Sequence, residues 1–191
     1  QATILIESNG IAFNQKYQEL ASENLFRMHF SLNAPNAESF KLHVWEGESG
    51  ERNWEKAKEN VVSYTGMLKE KGLEVFGPSV SMVVSREHSV KEILDFLKLS
   101  LDIHAQMCVF YLNHLETDSG NKLSSNIFYK EEIILTLMEV ERLLAGKFFI
   151  FFRLMEPAAF SKLQAIVDAE SQEELENKYA ELLRLAARRD I

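Results

Sequence analysis

The stretch Ile4-Leu5-Ile6-Glu7-Ser8-Asn9-Gly10-Ile11-Ala12-Phe13 decides how the rest of the chain is read. Asn-Gly is the dipeptide that a two-residue type I′ turn demands, because both central positions need positive φ, and here it stands between two short apolar runs. The expected element is a β-hairpin, hence an antiparallel start. Working outward, residues 25–32 set Phe26, Met28, Phe30 and Leu32 against Arg27, His29 and Ser31, the period of a half-buried strand. After a turn at 33–37 a matching strand is expected over 40–45, with Phe40, Leu42 and Val44 on its buried face. Together these segments predict an α+β fold: an N-terminal antiparallel β-meander over 4–45, extended into a mixed sheet with helices packed on it, and C-terminal helices.

The sheet is expected to take in Lys147-Phe148-Phe149-Ile150-Phe151-Phe152-Arg153-Leu154. Five apolar residues in a row, aromatic rather than rich in Leu and Ala, following Gly146, read as a strand covered on both faces. Truncating Phe149 or Phe151 to alanine would then cost about 3 to 5 kcal/mol. Residues 73–85 read as a further strand, interrupted at Gly77-Pro78 because proline cannot donate to a ladder. Aromatic and β-branched residues from Met107 onward favour a strand there as well.

Helices are marked by their ends. Trp54, Ala57, Val61, Tyr64, Thr65 and Leu68 recur at helical spacing from an Asn53 cap, and Gly72 suits a left-handed C-terminal position. Ser89-Val90-Lys91-Glu92 and Ser171-Gln172-Glu173-Glu174 are capping boxes. The second opens a helix with the stripe Leu175, Tyr179, Leu182 and Ala186. A helix is expected over 130–145, and another starting at Pro157, where the missing N–H is harmless. Residues 117–125, rich in Ser, Asn, Asp and Gly, read as a loop.

Composition fits one ordinary globular domain over 1–191: 46% hydrophobic and 26% charged residues in 191. The net charge of −8 is spread along the chain. An acidic surface without a basic patch repels phosphate backbones, so nucleic acid is not an expected partner. A single cysteine, Cys108, rules out an intramolecular disulfide and suits a reducing, cytoplasmic setting. The first residues lack the basic and long apolar regions of a signal peptide, and no stretch has the 18 or more uncharged apolar residues of a membrane helix.

Chemistry is sparsely signalled. No Gly-rich phosphate loop, GxGxxG, GxSxG, HExxH or CxxC occurs, and no cofactor or metal is expected. The constellation that stands out is His29 with His43. Symmetric pairing about Asn36 would set His29 opposite His43 and Arg27 opposite Trp45, imidazole against imidazole and guanidinium against indole. The acids Glu131, Glu132, Glu139 and Glu141 resemble a carboxylate helix without its Glu-x-x-His, and read as a solvated face. Cys108 reads as core, and His88 and His114 as loop residues.

These features point to a non-catalytic, acidic protein-binding module, of the inhibitor, immunity or adaptor kind, whose partner carries a basic surface. Arg27, His29, His43, Trp45 and Trp54 are its candidate binding residues. The alternatives are an enzyme using His29, His43 and a carboxylate for proton transfer, and a small-ligand carrier with an aromatic-lined pocket.

Overall fold

In a computed structural model of the chain, the residues described are 4–45, 47, 49–85, 87–112, 130–152 and 157–188. Their five strands form one sheet: β1 (Leu5–Ser8), β2 (Arg27–Ser31), β3 (Ser79–Val84), β4 (Met107–Leu112) and β5 (Phe149–Phe152). They lie side by side in chain order, and every pairing is parallel. Helices fill the connections: α1 (Gln15–Glu23), α2 (Ala37–His43), α3 (Ser49–Glu70), α4 (Val90–Asp102) and α5 (Glu131–Leu143), with α6 (Pro157–Ala169), α7 (Gln172–Lys178) and α8 (Ala180–Ala187) after the last strand. The architecture is therefore α/β. It overturns the expected α+β fold, its antiparallel meander and its mixed sheet.

The hairpin fails at Asn9-Gly10 for a local reason. Gly10 takes φ of +79°, as a primed turn requires, but Asn9 does not share the left-handed conformation. The Ser8 hydroxyl and the Asn9 side chain instead accept from the amides of Gly10 and Ile11, at 3.0 and 3.1 Å. Asn14 then caps α1 by accepting from the Lys16 amide. Phe13 turns inward, edge-on to Phe30 and Tyr64 at 5.0 and 5.2 Å, instead of continuing a second strand. Strand β1 pairs with β2 in parallel, Leu5 beside Arg27 and Ser8 beside Phe30.

The turn also lies close against α3. Asn60 donates to the carbonyls of Gly10 and Ile11, and a Cβ built at Gly10 would meet the Ala57 Cβ at 3.3 Å. Gly10→Ala is expected to destabilise the protein by about 1 to 2 kcal/mol, from the left-handed backbone and the crowding together. Urea unfolding checks this, and an unchanged midpoint would show that the turn relaxes without resistance.

The second expected hairpin strand is a helix. Asn36 accepts from the Ser39 amide and starts α2, of whose supposed apolar face only Phe40 is buried, while Leu42 and Val44 are exposed. Seven residues are too few for a 3.6-residue period to overrule an accidental alternation. Residues 74–76 form a short 3₁₀ turn, and Pro78 precedes β3 instead of interrupting it. The long helix α3 begins at Ser49, ahead of the expected Asn53 cap, and buries Trp54, Ala57, Val61, Tyr64 and Leu68 as the spacing predicted. The last helix keeps its buried stripe but breaks at Tyr179, whose φ and ψ are −121° and 30°. The loop expected at 117–125 lies outside the described residues.

The two faces of the sheet differ. Met28, Phe30, Val80, Met82, Val84, Cys108, Phe110 and Ile150 are buried in one contiguous core with side chains from α1, α3, α4, α5, α6, α7 and α8. Helix α2 adds Phe40 to a small satellite with Ala34 and Trp54, against Leu99 of α4. Steps that always run to the next strand on the same side, made by the right-handed connections of parallel units, deliver the described helices to one face, and the other is helix-free among the described residues. No residue of the opposite face joins either cluster. The doubly covered aromatic strand is thus overturned. Among the described strands β5 bonds to β4 alone, at the edge, and Phe149 and Phe151, two residues apart and so on one face, are 72% and 53% exposed.

Candidate functional site

The described residues that carry chemistry gather in two places, and the five predicted binding residues are divided among them and elsewhere. Arg27 is exposed on β2, its guanidinium 5.8 Å from the Phe76 ring centroid and not on Trp45. Trp45, just beyond α2, is 43% exposed. Trp54 is no surface residue: it is buried, donates to the Ala34 carbonyl at 3.2 Å, and carries Lys58 Nζ 4.9 Å above its ring. His29 and His43 are not a cross-strand pair, because residue 43 ends a helix and not a strand.

His29 sits on the helix-free face between two serines of the neighbouring strand. Its Nδ1 lies 2.7 Å from Ser79 Oγ and its Nε2 2.9 Å from Ser81 Oγ, which is itself 3.4 Å from Ser31 Oγ. The parallel register supplies these partners, setting His29 beside Ser79 and Ser31 beside Ser81. Burial lowers the affinity of the ring for a proton, with Glu7 opposing. A general base keeps one ring nitrogen for its substrate. Both nitrogens of His29 are held by the protein's own hydroxyls, so the arrangement acts as a polar ladder between β2 and β3.

The second place is at the carboxyl ends of β2 and β3, where open parallel sheets set their ligand-facing loops. Helix α2 brings Ser39 and His43, and the connection from β3 into α4 brings Ser85, His88, Ser89 and Glu92. Glu92 is the hub. Its Oε1 accepts from Ser39 Oγ at 2.7 Å and lies 3.1 Å from His43 Nε2, and its Oε2 accepts from the amide and hydroxyl of Ser89, both at 2.9 Å. Burial pushes this carboxyl up, but the hydrogen bonds from Ser39 and Ser89, with His43 beside it, outweigh that and hold it at about 2. An ionised carboxylate only accepts, so His43 carries its proton on Nε2. His88 stacks on His43 with ring centroids 4.2 Å apart and an interplanar angle of 34°.

The remaining candidates are accounted for by packing. The Cys108 thiol is buried and pushed up to about 12 by desolvation, against a weak contact from Ser100 Oγ at 3.5 Å, so it is a core thiol and not a nucleophile. Glu139 is fully buried and accepts from Lys178 Nζ at 2.7 Å and from the Tyr179 hydroxyl, so the acidic helix is not a solvated face throughout. His114 lies outside the described residues. Among those residues no three His, Cys, Asp or Glu side chains gather in a way that could hold a metal ion, and no helix is long and apolar enough to cross a membrane.

Two features went unseen in the sequence. The Ser39–His43–Glu92 cluster was hidden by reading 40–45 as a strand, although its anchor, the Ser89–Glu92 capping box, was legible. The exposed apolar side chains Leu5, Val83, Tyr111, Phe149 and Phe151 share the helix-free face, a grouping that needs the parallel register to be known. No protein-family model matches the chain, and no curated protein matches it either.

Proposed function

We propose that this chain is a non-catalytic protein-binding module of the cytoplasm, whose partner offers an apolar centre ringed by basic residues. The sheet face that no described helix covers carries the reading. Parallel sheets are as a rule covered on both sides, and a face presenting Val83, Tyr111, Phe149 and Phe151 to water gains by being covered. Large aromatic side chains are the usual anchors of protein interfaces. The net charge of −8 favours a basic rim on the partner and speeds the encounter. The occupied ring nitrogens of His29 and the buried thiol of Cys108 weigh against catalysis by either.

The test is capture of a partner from the cells that make the protein, with the unaltered chain beside Phe149→Glu and Phe151→Glu variants, at low and moderate salt. One specific partner is expected, retained by the unaltered chain and by His43→Ala, lost by both glutamate variants, and captured more slowly as the Debye length falls below about 10 Å. Equal capture by the glutamate variants would remove this face from the interface, and a salt-independent association would remove the basic partner.

A further inference from the structure

His88, stacked on His43, is a buried titratable group. It is 3% exposed, and its Nδ1 receives the Ser85 amide at 3.0 Å, with Ser85 Oγ also at 3.0 Å. A nitrogen that accepts an N–H carries no proton, so the ring is the neutral tautomer protonated on Nε2. That Nε2 is buried and has no hydrogen-bond partner among the described residues. The ring lies against His43, whose Nε2–H is committed to Glu92. Neutral His88 thus ties the end of β3 to the residue before the α4 cap, since Ser89 and Glu92 complete that cap from the other side.

A second proton on His88 has one place to go, Nδ1. It would meet the Ser85 N–H head-on, break that hydrogen bond and put a cation in a buried stack beside another imidazole. Among the described residues, the charged or titratable groups that face the ring are His43 from α2, Glu92 from α4 and Glu87 from the connection itself. Glu92 does not rescue the cation, because its oxygens are already shared by Ser39, Ser89 and His43. Burial first and His43 second hold the ring below its ordinary value, opposed in part by the two carboxylates.

We propose that His88 is an acid-sensitive latch: neutral, it closes the connection from β3 into α4, and on protonation it leaves the His43 stack and opens that connection at the carboxyl edge of the sheet. The sign follows from the depressed folded-state value. The unfolded or opened form takes up the proton near the ordinary value of 6.5, so the closed state is at full strength above that pH and is lost progressively as pH falls below it.

Two measurements on the full chain test the latch. The first is the nitrogen NMR spectrum of the His88 ring in the unaltered protein, which should show the Nε2–H tautomer at pH 7.5 and a midpoint below that of an ordinary histidine. The second is amide hydrogen exchange at Ser85 and Glu87, corrected for its intrinsic pH dependence. Opening should rise by up to about tenfold for each pH unit below 6.5. His88→Asn, whose amide oxygen can accept the Ser85 N–H without titrating, should abolish that rise. His29, also depressed by burial, destabilises the whole fold in acid, so His29→Asn should leave the local rise in place. An Nδ1–H tautomer, a midpoint at or above 6.5, or an acid-induced opening that survives in His88→Asn would overturn the proposal.

Discussion

Phe110→Ala should lower the unfolding free energy by about 3 to 5 kcal/mol, while Phe149→Ala should change it by less than about 1 kcal/mol. The two residues lie on adjacent strands and are chemically identical. Phe110 is fully buried on the helix-covered face of β4, edge-on to Phe96 of α4 at 5.8 Å, so its removal leaves a cavity in the contiguous core. Phe149 stands 72% exposed on the opposite face at the sheet edge, and its truncation mostly returns to water what was already there. Urea unfolding of both variants decides the matter. Comparable losses would mean that the second face is covered in the isolated chain, and the exposed apolar surface behind the proposed interface would be gone with it.

Tyr179→Phe should cost about 2 to 3 kcal/mol, far more than the loss of one hydroxyl from a surface. Glu139 is fully buried and holds two donors, the Tyr179 hydroxyl and Lys178 Nζ, while its Oε1 has no partner among the described residues. Removing one donor leaves a buried carboxylate supported by a half-exposed ammonium alone. The hydroxyl is in turn held well above its ordinary range, by burial first and by Glu139 next, so it remains a donor at any working pH. Replacing both members, Glu139→Leu with Tyr179→Phe, should recover most of the loss, because no buried charge is then stranded. A thermal or urea midpoint unmoved by Tyr179→Phe would show that water reaches Glu139 and that the contact contributes nothing.

Which parts of this were legible follows from which signals are local. Both capping boxes, the strand at Arg27–Ser31, the buried stripe of α3 and the proline start of α6 are written into a few adjacent residues, and all are found. Strand direction is not written there. Asn9-Gly10 satisfies the glycine half of a hairpin turn, but Asn9 prefers an Asx-type contact with Ile11, and the parallel partner of β1 lies beyond a whole helix. The run 148–152 is apolar throughout although half of it faces away from the core, so composition suggested two covered faces where there is one. The histidine cluster depends on α2 being a helix, which sets Ser39 and His43 one turn apart so that both reach Glu92. The serine partners of His29 are about fifty residues distant in sequence and meet it through register alone.

The strictly sequential strand order has a consequence for how the molecule comes into being. Among the described residues each strand binds only the strands immediately before and after it, so no described strand must be held open for one made two or more units later. Pairing neighbours in strand order closes the smallest loops that a parallel sheet permits. On the ribosome, β2 can add to β1 as soon as α1 has emerged, and each later unit has a finished template waiting. Growth from the first strand outward then leaves the most recently added edge, Phe149–Phe152, as the last to find its place.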